Sequence, residues 1–88
     1  MHTILDPLVG VSNETAYEET VAAAGRSDRL VQTYTNGNGH CNFTAPQLLT
    51  AVGAIDNWVR NGSKPTAATF PAPLGFVPGF VPPPFPQP

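Results

Sequence analysis

The sequence predicts a small α/β fold in which two strands alternate with two helices. Residues 2–5 are apolar and partly β-branched, and residues 30–35 are rich in residues that favour strands. Residues 13–24 and 45–61 carry capping residues ahead of apolar positions at helical spacing. Two buried strands joined by a helix are predicted to run parallel, with a right-handed crossover.

The first strand is expected to stop before Asp6-Pro7, because this pair breaks the apolar run and leads into a loop. Either Ser12 or Asn13 is predicted to cap the helix that follows, and Gly25 stands just past its end. Three residues at helical spacing are expected to form the inner face of this helix: Tyr17, Val21 and Ala24.

The second predicted strand, residues 30–35, runs into a glycine-rich loop at residues 36–39. Thr44-Ala45-Pro46-Gln47 then has the form of a capping box, and Gly62 is predicted to end the last helix. An apolar stripe is expected to turn this helix towards the core: Leu48, Val52, Ile55 and Val59, widened by Leu49 and Trp58.

Residues 63–88 form a proline-rich tail that differs in composition from the predicted folded portion, residues 1–62. Nine of the eleven prolines lie in the tail, so it has few amide donors and favours polyproline II structure. Disordered tails rarely carry as many aromatic rings as this one: Phe70, Phe76, Phe80 and Phe85. We therefore expect an extended strap that lies on an apolar surface of its own chain or of another subunit.

The composition argues against several classes of partner. The net charge is −2 and the few cations are scattered, which is unlike a nucleic-acid-binding protein. No apolar run approaches the roughly 20 residues that span a bilayer, and the N-terminus lacks the features of a signal peptide. We predict neither a cofactor nor a metal, although a metal held by His2 with His40 or Cys41 stays open as an alternative.

Asp6 and His40 each follow the end of a predicted strand. Because parallel strands end at the same edge of a sheet, both are expected where open α/β folds place their sites. There an aspartate can orient an imidazole and stabilise its charged form when the other ring nitrogen takes up a proton. Chain order also fits, since Asp before His matches the last two members of an α/β-hydrolase triad.

Three segments carry a more specific resemblance: residues 2–9 (HTILDPLV), residues 38–44 (NGHCNFT) and residues 56–62 (DNWVRNG). They are similar to the acid-bearing strand, the histidine loop and the last helix of esterase-type α/β-hydrolases. In particular they resemble secreted bacterial feruloyl-esterase and tannase-like proteins with a Gly-His-Cys loop. The pattern GFVPPP at residues 79–84 also resembles the way some of those chains finish.

The resemblance covers nearly all of this chain but only the last third or quarter of such an enzyme. It implies a partial, truncated α/β-hydrolase fold and hydrolysis of carboxylic esters, with His40 as general base and Asp6 orienting it. The parent family is often secreted, but this chain has no signal peptide, so we predict no localisation.

No serine nucleophile is recognisable. A nucleophile elbow reads Gly-x-Ser-x-Gly upstream of the acid. Ser12 lies in Gly10-Val11-Ser12-Asn13-Glu14, which lacks the second glycine and follows the acid, so it is a weak nucleophile candidate. A hydroxyl without an adjacent base and an oxyanion hole loses several kcal/mol of transition-state stabilisation. The isolated chain is therefore expected to be a poor serine hydrolase.

Other interpretations of these residues stay open. Asp6 also suits an ordinary turn, and His40 also suits a plain surface loop. Cys41 is predicted to be buried or disulfide-forming rather than nucleophilic, since a catalytic thiol needs its own base. In Gly-His-Cys hydrolases the matching cysteine can pair with one elsewhere in the chain. Cys41 is the only cysteine here, so an exposed thiol would be free to bridge two copies.

The alternative function is non-catalytic. With roughly 60 residues available to fold, a single hydrophobic core is marginal and a homo-oligomer is expected. In this interpretation the chain is a self-associating module, and its aromatic-proline strap binds a neighbour or the surface of a hydrophobic polymer.

Overall fold

A computed structural model describes residues 1–86, so residues 87–88 of the predicted tail lie outside the described part. The main elements follow the order β1 (His2–Leu5), α1 (Asn13–Ala23), β2 (Tyr34–Asn38) and α2 (Ala45–Asn61). The two strands form a parallel two-stranded sheet, so the predicted arrangement is confirmed as α/β in a loose sense. Within residues 1–86, no helix is both long enough and apolar enough to cross a membrane.

The second strand begins later than the sequence predicted. His2 pairs with Tyr34 and Leu5 pairs with Asn38, so residues 30–33 lie outside β2, although the His2 N–H still donates to the Thr33 carbonyl oxygen at 3.0 Å. Gly37 was expected in a loop but lies inside β2. A Cβ atom on Gly37 would come within 2.8 Å of the Asn42 carbonyl oxygen. Close approach of another part of the backbone therefore explains this glycine.

The helix α1 contributes no buried residue to the core, and Tyr17 is 55% exposed. The predicted inner face was therefore wrong: Tyr17 and Ala24 are exposed and Val21 is only partly buried. Polar contacts in the first turn hold the helix instead. Gln32 Nε2 donates to the Glu14 carbonyl oxygen at 2.9 Å, and Thr15 Oγ1 donates to the Pro83 carbonyl oxygen at 2.8 Å.

The helix α2 has the predicted bounds and caps. Thr44 Oγ1 accepts from the Gln47 backbone N–H at 3.2 Å, and Gln47 Oε1 accepts from the Thr44 N–H at 2.9 Å. Gly62 ends the helix in the left-handed conformation, with φ of 69°. The face of α2 that is buried, however, is the one carrying Gln47 and Ala54.

The apolar stripe of α2 was predicted to face the core, and this was wrong. Five of its residues are between 47% and 80% exposed: Leu48, Leu49, Val52, Ile55 and Val59. The reason is the small size of the covering layer, because two short strands and the tail are too narrow to bury a second face. We call these five residues the exposed stripe.

We call residues 63–86 of the proline-rich tail the strap. It is not extended throughout, as was predicted, because it forms two short 3-10 helices, Ala67–Thr69 and Ala72–Leu74, and only residues 75–77 pair with β2. Thr35 and Phe76 form an antiparallel bridge, supported by a hydrogen bond of 2.9 Å from the Val77 N–H to the Tyr34 carbonyl oxygen. Phe70 and Phe76 are buried and join Ala54 in the hydrophobic core. The strap therefore completes the core of its own chain, beside β2.

Candidate functional site

Asp6 is the first residue after β1, and the turn that follows anchors its carboxylate. The backbone N–H groups of Leu8 and Val9 each donate to Asp6 Oδ1 at 2.8 Å. The Asp6 side chain is only 3% exposed. The Asp-Pro pair that ends the strand thus builds an Asx-type turn, which leaves Oδ2 available to another donor.

His40 reaches that carboxylate from the end of β2. The chain just before it is tied to β1, because the Gly39 N–H donates to the Leu5 carbonyl oxygen at 3.0 Å. His40 Nδ1 lies 2.8 Å from Asp6 Oδ2. The parallel strands therefore bring Asp6 and His40 together at one edge of the sheet, as the sequence predicted.

The ionisation state of Asp6 determines which nitrogen of His40 donates the hydrogen bond between them. Burial raises the pKa of Asp6, but this is outweighed by hydrogen bonds from the Val9 backbone, the His40 ring and the Leu8 backbone, and by the charge of His40. Together they lower the pKa of Asp6 from 3.8 to about 2. The ionised carboxylate can only accept at neutral pH, so Nδ1 of His40 donates to it, and in the neutral form of the ring Nε2 carries the lone pair. A general base needs this tautomer.

A second imidazole lies beside Asp6. His2 Nδ1 lies 2.6 Å from the Thr3 carbonyl oxygen, which can only accept, so this nitrogen donates. His2 Nε2 lies 3.9 Å from Asp6 Oδ2 and is buried without a hydrogen-bond partner among the described residues. From the sequence, His2 was predicted only as an alternative metal ligand. Side chains two or four residues apart along a strand lie on the same face of the sheet, so the spacing of residues 2 and 6 could have predicted that His2 lies near Asp6.

Cys41 lies on the other side of the His40 ring from the carboxylate. Its Sγ atom is 3.6 Å from His40 Nε2, while His40 Nδ1 faces Asp6. The thiol is free and Cys41 is exposed. Of the two states predicted for Cys41, buried or disulfide-forming, burial was therefore wrong: the loop after β2 turns outward instead of packing into the core.

Ser12 does not join this group. It occupies the N-cap position of α1, where its side chain makes no capping hydrogen bond. Within residues 1–86, the side-chain partners of His40 are Asp6 and Cys41. The structure therefore offers no contact that would make Ser12 the nucleophile.

A small hollow of about 100 Å³ lies next to the pair. Its lining combines polar residues with apolar ones: His2, Thr3, Asp6, His40 and Cys41 with Met1, Val9 and Phe43. The hollow can thus hold a group of a few heavy atoms beside the imidazole.

Across residues 1–86, no three His, Cys, Asp or Glu side chains converge in a way that could hold a metal ion. Comparisons of the chain with protein-family models, with curated proteins and with solved structures found no match.

Proposed function

We propose that this chain carries the acid and histidine of a carboxylic-ester hydrolase, on part of an α/β-hydrolase fold. The observation that carries the proposal is the hydrogen bond of 2.8 Å between His40 Nδ1 and the buried Asp6 carboxylate. In this role Nε2 of His40 removes a proton from the attacking nucleophile. Asp6 holds the ring in position and stabilises the imidazolium that forms.

The surroundings of the pair support ester chemistry. The His40 side chain is 43% exposed, so a substrate can approach the ring from solvent. The adjacent hollow offers an apolar lining for an acyl group, with the imidazole at its rim. The similarity of residues 38–44 to an esterase histidine loop favours the same reaction class.

Hydrolysis of p-nitrophenyl acetate by the purified chain tests this proposal. Loss of a general base costs roughly a hundredfold to ten-thousandfold in rate, so His40→Ala should reduce the rate to that of an inert protein. Asp6→Asn should also lower the rate, because it changes the tautomer of His40. Asp28→Asn is the matched control, since its side chain is 72% exposed and pairs only with Arg29.

Ser12→Ala tests the weak nucleophile candidate that the sequence suggests. Because Ser12 has no contact with His40, this variant should hydrolyse the ester at the wild-type rate. A rate that is the same in wild type and His40→Ala would refute the proposed function.

A second function is favoured by the exposed stripe of α2, which we propose as a surface for self-association. The described core has only four buried residues, Tyr34, Ala54, Phe70 and Phe76, and Val31 packs against it. A chain with so small a core gains stability by burying further apolar surface against a second copy. The stripe residues Val52 and Val59 are 63% and 80% exposed, and so are free to make this contact.

The two proposals are independent and need different experiments. Light scattering should find a dimer or larger assembly, and Val52→Glu with Val59→Glu should dissociate it. Ala23→Glu on the exposed side of α1 is the control and should leave the assembly intact. A wild-type chain that stays monomeric at all concentrations would contradict self-association. Removing residues 63–88 is not a suitable test, because it removes Phe70 and Phe76 from the core.

A further inference from the structure

A cavity of about 380 Å³ lies between α1, the segment that leads into β2, and the strap. This volume is in the range of small-molecule sites in proteins, about 300–1,000 Å³. None of the residues that line it also lines the hollow beside His40. The cavity is therefore separate from the site of the proposed ester hydrolysis.

Two contacts hold the strap against the other walls of this cavity. Thr15 Oγ1 on α1 donates to the Pro83 carbonyl oxygen at 2.8 Å. The Phe80 ring packs edge-on against the Tyr34 ring of β2, with 5.1 Å between the ring centroids. Neither contact needs a ligand, so the cavity is formed in advance by three separate parts of the chain.

The Tyr34 hydroxyl is a buried polar group without a partner, and Tyr34 lines this cavity. The residue is 6% exposed, and its hydroxyl has no hydrogen-bond partner among residues 1–86. Buried hydroxyls are normally hydrogen-bonded, because an unpaired one costs free energy. Burial raises the pKa of Tyr34 to about 12, and the charges of Glu14 and Glu18 act in the same direction. A ligand in the cavity could therefore supply the missing partner within the field of these two carboxylates.

The polar groups around the cavity are mainly hydrogen-bond acceptors. Gln32 Nε2 donates to the Glu14 carbonyl oxygen at 2.9 Å and to Glu14 Oε2 at 3.0 Å, which leaves the amide oxygen of Gln32 for another donor. Glu18 adds a carboxylate to the lining, and Ser27 adds a hydroxyl. Within the described residues, no Lys, Arg or His side chain lines the cavity. The site therefore suits a ligand that is positively charged and rich in donors.

The remaining lining is apolar or aromatic: Leu30, the Tyr34 ring, Phe80, Val81 and Pro82. Such surfaces bind the hydrocarbon part of a ligand, and aromatic rings also attract a cation that lies over their faces. The ligand that fits both halves of the cavity is thus amphiphilic, with a cationic head and a small apolar body.

We propose that this cavity binds a small organic ammonium, that is, a protonated primary amine with an aromatic or alkyl body. Its N–H groups donate to the Glu18 carboxylate and to the Tyr34 hydroxyl oxygen, while its body lies against the strap. This binding site goes beyond the proposed ester hydrolysis and uses neither Asp6 nor His40.

Titration with phenethylamine, followed by NMR chemical shifts, tests the site. We expect saturable binding, with the largest shifts at Tyr34 and Phe80. The neutral analogue 2-phenylethanol should bind about tenfold more weakly, because it lacks the charge-assisted hydrogen bonds. Equal binding of the two compounds would overturn the assignment of a cation. The absence of saturable phenethylamine binding, or shifts only for a basic peptide, would overturn the assignment of a small ammonium ligand.

Two variants remove the groups that hold the ammonium, and each has a matched control. Glu18→Gln and Tyr34→Phe should each weaken phenethylamine binding by about tenfold or more. The controls are Glu19→Gln and Tyr17→Phe, on exposed residues that do not line the cavity, and both should bind as wild type does. If Glu19→Gln loses as much affinity as Glu18→Gln, net charge alone attracts the amine and the site is refuted.

Thermal unfolding shows whether Tyr34→Phe acts on the ligand or on the fold. The variant removes an unpaired buried hydroxyl, so the melting temperature of the free chain should not fall. Phenethylamine should raise the melting temperature of the wild type more than that of the variant. A lower melting temperature of the variant without ligand would show that the hydroxyl already has a partner in the chain, which would overturn its assigned role.

His40→Ala separates this inference from the proposed function. The variant should bind phenethylamine with wild-type affinity, because His40 does not line the cavity. A loss of binding in His40→Ala would show that the amine occupies the hollow beside His40, and would overturn the assignment to the cavity under the strap.

Discussion

The Thr3 hydroxyl donates a hydrogen bond of 2.6 Å to the carbonyl oxygen of Gly39, the residue just before His40. Thr3 is 1% exposed and lies in the middle of β1, so this bond links the buried part of one strand to the histidine loop of the other. The position of His40 relative to Asp6 therefore depends on a side chain that takes no part in the proposed chemistry.

Thr3→Val tests this link. The substitution keeps the shape of the side chain but removes the donor of this partly buried hydrogen bond, which should lower the free energy of unfolding by about 0.5–1.5 kcal/mol. Urea unfolding measures this loss. Thr35→Val is the matched control, because Thr35 Oγ1 is buried without a hydrogen-bond partner among the described residues. It should be neutral or stabilising, and equal losses in the two variants would contradict the assignment.

The acid stability of the fold should depend on Asp6. Its pKa is lowered from 3.8 to about 2 in the folded chain, so the unfolded chain takes up this proton first as the pH falls. The stabilising contribution of the carboxylate is thus complete above about pH 4 and is lost as the pH falls towards about 2. The free energy of unfolding, measured between about pH 2 and pH 4, should therefore change less with pH in Asp6→Asn than in the wild type. Asp28→Asn, with its exposed carboxylate, should keep the wild-type dependence.

Two glycine substitutions should have opposite effects. In Gly37→Ala the new Cβ atom would lie 2.8 Å from the Asn42 carbonyl oxygen and 3.2 Å from Thr3 Cγ2, so the backbone of the loop at Asn42 must shift. Overpacking of this kind costs about 1–3 kcal/mol. Gly53→Ala meets nothing within 4 Å in the middle of α2, and should stabilise the chain by about 0.5–1 kcal/mol. Thermal unfolding measures both changes: the melting temperature should fall in Gly37→Ala and rise in Gly53→Ala.

The strap should be essential to the fold. Phe76 is 2% exposed, and removing a fully buried phenylalanine costs about 3–5 kcal/mol, enough to unfold a chain of this size. Phe76→Leu keeps most of the apolar volume and should remain folded with a lower melting temperature. Phe85→Ala is the control, because Phe85 is 39% exposed and should change stability by less than about 0.5 kcal/mol. A cooperative transition in Phe76→Ala that matches wild type would show that the strap is dispensable.

Local features of this structure could be predicted because the interactions that cause them are close in sequence. The bounds of α2 follow from the capping box between Thr44 and Gln47 and from the left-handed conformation of Gly62. Asp6 and His40 could be placed at one edge because parallel pairing brings strand ends together, whatever the exact register. The contact between Cys41 and His40 was not predicted. It depends on the positive φ of Cys41, and neither residue type indicates such a backbone conformation.

The sequence alone determined the order of the elements, the caps of α2 and the presence of an acid and a histidine at one strand edge. These depend on hydrogen bonds and patterns spanning a few residues. The tertiary structure decided where β2 begins, which side of α2 is buried and where the phenylalanines of the tail lie. Those features depend on which surfaces meet across the fold. The pairing with β1 determines which residues form β2, and the strap covers Ala54 and not the exposed stripe. Burial is a property of the surface that covers a residue, and a residue's own hydrophobicity does not specify that surface.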